Sequence, residues 1–199
     1  MSLSTTRPLL SMALTAGVLL TAIGVSAQTG TTPERFRAFA VNMDSMVGRT
    51  GAQTVEIVVD RWSTEAEASR LLEALQTQGP QRLLDALQAI PRLGYIRTPD
   101  TIGYELHFAR KTPGEDGGEH IVIATDRYIS FWEARNQPRS IDYPFTVIEI
   151  HMKGDGTGEG KMSIATKVTA DKKRGTVVLE NFGTQPVRLN EVRRAPKSQ

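Results

Sequence analysis

Apolar and polar residues alternate along much of the chain, and this period of two predicts β-strands. Apolar side chains occupy every second position in residues 55–59 and again in residues 104–108. Because successive side chains of a strand point to opposite faces, each segment would have one apolar face for a core. Turns rich in glycine and aspartate at 114–118 and 154–160 separate the later segments. This arrangement favours antiparallel hairpins.

The period changes after residue 63, where apolar residues recur every three or four positions and predict two helices. Thr64 and Glu67 have the spacing of a capping box, in which each side chain binds the backbone amide of the other residue. Gly79 ends the first helix, Pro80 opens the second and Pro91 stops it. Helices this short depend on packing, so their leucine stripes should be buried. The leucines expected in the core are Leu71, Leu75, Leu84 and Leu87.

These patterns together predict an α+β fold of mainly antiparallel strands with one inserted helical hairpin. About seven to nine strands are expected, arranged as a barrel or a sandwich, since both bury the strand edges. The length of 199 residues fits one domain over 35–194. A disordered segment at 28–34 would precede it, and a frayed tail at 195–199 would follow. The basic residues near the end are interpreted as a solvated terminus: Arg188, Arg193, Arg194 and Lys197.

The first 27 residues have the pattern of a secretory signal peptide. Arg7 precedes a long apolar run, and small residues at 25–27 lead to Gln28. Cleavage before Gln28 would give a soluble protein in the periplasm or the medium, with no membrane span left. An uncleaved membrane anchor is the alternative, but serine, threonine and glycine interrupt the run.

Composition excludes several function classes. The chain contains no cysteine, which removes disulfides, cysteine-ligated zinc and a thiol nucleophile. Its 24 Lys and Arg residues nearly balance 22 Asp and Glu residues and are interspersed with them. Nucleic acid is therefore not an expected partner, because nucleic-acid binding needs a basic face. No cofactor motif is present, and neither a cofactor nor a metal is predicted outright.

Two Glu-x-His pairs are the candidates for catalytic chemistry. Glu105 and His107 stand two positions apart on one predicted strand, and Glu149 and His151 repeat that spacing on another. Period two places each carboxylate and imidazole on one face. If the two strands were neighbours in register, the four groups would converge and could bind zinc or iron or carry out acid–base chemistry. Two solvated strand faces are the alternative interpretation.

The segment 126–145 is the candidate ligand-binding region because it combines aromatic residues with arginines. These residue types supply large contact area and directional hydrogen-bond donors. The alternative is a long connection that is anchored to the core by its aromatic residues. The candidate binding residues are Tyr128, Trp132, Arg135, Arg139 and Tyr143.

Three segments carry a resemblance to a known group of proteins: RWSTEAEASRLLEAL, GYIRTPDTIGYELHFARKTPGEDGG and ATDRYISFWEARNQPRSIDYPFTVIEI. They resemble a family of uncharacterised secreted bacterial proteins with no known activity. The resemblance implies an exported bacterial protein and brings no site with it.

The sequence as a whole favours a non-enzymatic binding or interaction module over an enzyme. Its partner would be an unknown small ligand or a protein. The alternative is a hydrolase or another metal-dependent enzyme that uses the Glu/His pairs. Convergence of His107 and His151 within reach of one metal ion would favour the second hypothesis, and an apolar pocket without a cluster of titratable groups would favour the first.

Overall fold

The computed structural model describes residues 32–42, 51–78, 80–114, 117–127, 129, 145–164, 167–171, 176–180 and 186–196. The predicted signal peptide lies outside this part of the chain. Ten strands are present there: β1 (Glu34–Asn42), β2 (Gly51–Val59), β3 (Gly94–Arg97), β4 (Tyr104–Pro113), β5 (Glu119–Thr125), β6 (Thr146–Met152), β7 (Thr157–Ile164), β8 (Lys167–Asp171), β9 (Thr176–Glu180) and β10 (Val187–Arg194). Two helices, α1 (Glu65–Gln78) and α2 (Pro80–Gln88), lie between β2 and β3.

Eight of these strands close into an antiparallel barrel. Strands β1 to β7 pair in chain order, and β10 completes the ring between β7 and β1. Strands β8 and β9 pair with each other in a separate two-stranded sheet. The predicted fold class is confirmed, and the structure selects the barrel over the sandwich.

The first and last strands of the barrel include residues that were predicted to be disordered or frayed. β1 begins at Glu34, inside the segment expected to be disordered. Arg188, Arg193 and Arg194 belong to β10, and the amide of Ala195 donates to the carbonyl of Arg35 at 2.8 Å. The interpretation of these arginines as a frayed terminus is therefore wrong. Pairing with β1 on one side and β7 on the other satisfies the backbone of β10.

The barrel interior is filled by apolar side chains. In the eight barrel strands inward and outward residues alternate, as predicted, except where irregularities in β4 and β10 shift the register. The largest of these side chains are almost completely buried, and they include Phe36, Ile57, Ile96, Leu106, Ile121, Ile123, Ile148, Ile150 and Met162. An eight-stranded barrel has an interior that side chains can fill.

The helical hairpin covers part of this core. The capping box forms as predicted: the amide of Glu67 donates to Thr64 Oγ1 at 3.2 Å, and the amide of Thr64 donates to Glu67 Oε2 at 2.8 Å. Three of the predicted leucines are buried, and Leu75 is partly buried against the same cluster. Within the described residues, neither helix combines the length and the apolar character needed to cross a membrane.

A ring of four charged side chains closes one end of the barrel. Glu34, Lys111, Glu119 and Arg194 each stand two residues from an inward-facing residue of the same strand, so they also face inward. Lys111 Nζ lies 2.6 Å from Glu34 and 3.9 Å from Glu119, and Arg194 pairs with both carboxylates. Trp62 Nε1 donates a hydrogen bond to Glu34 Oε1 at 3.1 Å, and the ammonium group of Lys111 lies over the indole ring of Trp62.

Removing the Glu34 charge should destabilise the barrel in a pH-dependent way. Burial favours the neutral acid, but hydrogen bonds from Lys111 and Trp62 and the nearby cations outweigh it and hold the pKa of Glu34 below its usual 4.5. A lowered folded-state pKa adds stability above the unfolded value, and this stability is lost as the pH falls through the folded value. Because Lys111 and Arg194 are each about one-third exposed, Glu34→Gln should cost about 1–3 kcal/mol at pH 7.

Urea unfolding of both proteins at pH 7 and pH 3 checks this prediction. The difference in free energy of unfolding should shrink as the pH falls below 4.5, because the unfolded chain then binds a proton at Glu34 while the folded protein still keeps that charge. Glu65→Gln is the control, because Glu65 pairs with Arg110 on an exposed surface and should contribute little. A difference that stays constant from pH 7 to pH 3 would contradict the assigned role of the Glu34 charge.

Candidate metal centre

The outer face of β5 and β6 brings two histidines and a glutamate together. Ile121, Ile148 and Ile150 point into the barrel, so the residues next to them in sequence point outward. His120 of β5 is the direct cross-strand partner of His151 of β6. Glu149 precedes His151 by two positions and shares its face.

The two imidazoles lie against each other. Their ring centroids are 4.5 Å apart, and the ring planes differ by 17°. His120 is half-buried, and its Nε2 is buried without a hydrogen-bond partner. His151 is exposed to solvent. The imidazole of His120 is therefore packed among neighbouring side chains, whereas the imidazole of His151 is accessible from solvent.

Glu149 completes a group of three potential metal ligands. One donor atom each from His120, Glu149 and His151 lies within 4.8 Å of the others. The side chain of Glu149 is 17% exposed. Its Oε2 atom forms an ion pair with Nζ of Lys161 on β7, at a distance of 2.9 Å. Ligand atoms around tetrahedral zinc lie about 3.4 Å apart, so a shift of about 1 Å by these side chains would close the site.

The backbone of β7 lies close to the strand that carries two of these ligands. A Cβ at Gly160 would stand 2.4 Å from the carbonyl oxygen of Glu149, and one at Gly158 would stand 2.4 Å from that of His151. Both distances are shorter than real Cβ contacts allow. Glycine at these positions therefore permits β7 to approach β6 and places Lys161 beside Glu149.

The electrostatic surroundings favour a neutral imidazole at His120. Burial is the main cause that lowers the pKa of His120 below 6.5, and the neighbouring His151 and Lys161 act in the same direction. The charge of Glu149 opposes them but does not cancel the shift. A neutral imidazole is the form that binds a metal ion.

Two imidazoles and one carboxylate are a recognised ligand set for transition metals. Zinc is bound by three protein ligands of this kind in catalytic centres, where water or substrate takes the fourth position. The same set with open positions also binds non-haem iron. Calcium and magnesium prefer ligand sets made of oxygen atoms alone. The chemistry of this group therefore selects zinc and similar divalent ions.

The structure does not bring the two predicted Glu-x-His pairs together. Glu105 and His107 lie on β4, Glu149 and His151 lie on β6, and β5 separates the two strands. β5 contributes His120 instead. The condition of neighbouring strands, on which the convergence of all four groups depended, is not met.

His107 has a different environment from the other two histidines. It is buried beside a bulge in β4, and its Nδ1 donates to the carbonyl of Ile90 at 2.8 Å. Its Nε2 lies 3.8 Å from carboxylate oxygens of both Glu105 and Asp126. The hydrogen bond to Ile90 connects β4 to the segment that follows α2.

The aromatic and arginine candidates cannot be placed. Tyr128, Trp132, Arg135, Arg139 and Tyr143 all lie outside the described residues. Four other residues of the segment 126–145 are described, Asp126, Arg127, Ile129 and Phe145, and the last two of them are buried in the core. The prediction of a binding region there stays a prediction.

Comparison with known proteins assigns no role to these residues. No family model matches the chain, and searches of curated proteins and of solved structures also return no match. The functional argument therefore rests on the geometry of His120, Glu149 and His151.

Proposed function

We propose that the protein is an exported, non-enzymatic binding module whose ligand is a divalent transition-metal ion such as zinc. His120, Glu149 and His151 would hold the ion on the outer wall of the barrel. The observation that carries the proposal is the convergence of these three donors within 4.8 Å from two paired strands. The signal-peptide pattern of residues 1–27 supports export.

The packing of the barrel supports a site on its outside. An eight-stranded barrel either fills its interior with side chains or leaves room for one small ligand. Here large apolar side chains such as Ile57, Ile123 and Met162 occupy the interior and are fully buried. The outer face of β5 and β6, by contrast, carries the three polar donors, and one of them, His151, is exposed to solvent.

Zinc titration followed by calorimetry tests the proposal. The natural protein should bind one zinc ion per chain, and Glu149→Gln should weaken binding at least about 10-fold. Loss of groups that only support a metal ligand already costs 10- to 100-fold, and a direct ligand should cost no less. His151→Gln should have a similar effect.

Glu105→Gln is the matched control for Glu149→Gln. Glu105 belongs to the same Glu-x-His pattern but lies on β4, with β5 between it and the proposed site. Its side chain is 53% exposed, so the substitution should leave the fold intact. Equal weakening by both substitutions, or no zinc binding by the natural protein, would refute the proposal.

A metal-dependent hydrolase is the second candidate function. Three protein ligands leave at least one coordination position open, and that arrangement is typical of catalytic zinc. Turnover of an activated ester by the zinc-loaded protein, lost in Glu149→Gln and retained in Glu105→Gln, would favour this function. Zinc binding without turnover would favour the binding module.

A further inference from the structure

Lys161 lies next to the proposed metal position. Its Nζ is 2.9 Å from Glu149 Oε2, and its side chain is 45% exposed. A zinc-like ion bound to that oxygen at about 2.0–2.2 Å would lie at most about 5 Å from the ammonium. An oxygen atom bound to the ion on that side would be within hydrogen-bond reach of Lys161.

Metal binding would leave a local excess of positive charge. Without the ion, Lys161 and the carboxylate of Glu149 balance each other. A divalent ion adds two charges to this pair, while the two imidazoles bind it in their neutral form. Glu159, the cross-strand partner of His151, offsets one of them. One positive charge remains beside an open coordination position, which favours an anion.

We propose that the metal centre of His120, Glu149 and His151 takes an anionic oxygen ligand, a carboxylate or a phosphate group, in the position beside Lys161. This inference rests on the proposed metal-binding function. The ion supplies the coordination bond, and Lys161 donates a charge-assisted hydrogen bond to a second oxygen of the same anion. Exposure of His151 and Lys161 leaves this position accessible from solvent.

Visible absorption of the cobalt-loaded full-length protein tests the inference, because cobalt reports on its own coordination. Cobalt is titrated first, in a buffer without coordinating anions. Acetate and methyl phosphate are then added separately to the loaded protein. Each anion that binds should change the cobalt spectrum in a saturable way, and the two titrations show which anion class is preferred.

Lys161→Met should weaken the binding of the anion without weakening the binding of cobalt. Loss of the ammonium frees Glu149, so cobalt should bind at least as tightly as in the natural protein. The anion should bind about 5-fold more weakly or worse, because it loses a charge-assisted hydrogen bond. Lys153→Met is the control: Lys153 is an exposed lysine at the β6–β7 turn, and its substitution should change neither affinity.

The outcomes separate this inference from the function on which it rests. If cobalt binds but neither anion changes its spectrum, the anion site is refuted and metal binding stands. If Lys161→Met binds the anion as well as the natural protein does, the assigned role of Lys161 is refuted. If only Glu159→Gln binds an anion, Glu159 itself fills the open position and the inference fails. If cobalt does not bind at all, both proposals fail.

Discussion

Replacing Phe36 by alanine should lower the free energy of unfolding by about 3–5 kcal/mol, the usual cost of removing a buried phenylalanine. Phe36 points into the barrel from β1 and is completely buried. The guanidinium of Arg194 lies over its ring, 5.3 Å from the centroid. The substitution therefore leaves a cavity next to the ring of four charged side chains. It also removes the contact between Phe36 and Arg194, which is one of those four. Urea unfolding of both proteins measures the loss.

Phe39→Ala is the matched control on the same strand. Phe39 points outward and is 45% exposed, so the same chemical change should cost less than about 1 kcal/mol. Similar losses for the two variants would show that β1 does not divide its side chains between the core and the solvent. The closed barrel would then be the wrong description of this strand.

The alternation of apolar residues was sufficient to predict most of the strands but not the closure of the barrel. Local patterns specify which face of β2 or β4 is apolar, and glycine-rich turns specify where hairpins fold. Closure depends on pairing between β1 and β10, whose partners Phe36 and Arg194 stand far apart in the chain. No local pattern encodes such a contact, so barrel and sandwich could not be distinguished from sequence.

The candidate metal centre was only half visible in the sequence, for a related reason. Glu149 and His151 show their shared face through their spacing, whereas His120 has no such neighbour. The register that opposes His120 to His151 is set across a connection of about twenty residues, and register follows from the apolar pattern and loop geometry. Matching the inward-facing isoleucines of β5 and β6 would have been the available signal for this pair.

The ring of four charged side chains at the barrel end could not be predicted from local sequence either. Glu34 lies in the segment predicted to be disordered and Arg194 at the far end of the predicted domain, and charged residues near a terminus are usually solvated. In the closed barrel they face each other, and Lys111 and Glu119 complete the ring. Inward-facing charges at a barrel end become explicable only once the strand order is known, because each needs a partner from a distant strand.

The helical hairpin should contribute to the same cooperative unit as the barrel. Leu83, Leu84 and Leu87 of α2 are buried in the core cluster, and Ile90 and Leu93 extend that contact to the start of β3. The hydrogen bond from His107 to the carbonyl of Ile90 fixes the end of this segment to β4. Leu84→Ala should therefore cost about 2–5 kcal/mol, as for other large-to-small changes in a core.

Leu72→Ala is the control, since Leu72 is on the same hairpin but only partly buried and should cost less than Leu84. Urea unfolding followed by both tryptophan fluorescence and circular dichroism measures the losses and tests whether the probes report one transition. A loss below about 0.5 kcal/mol for Leu84→Ala, the range of surface substitutions, would mean that α2 does not stabilise the barrel. Its leucine stripe would then require another function, such as contact with a partner.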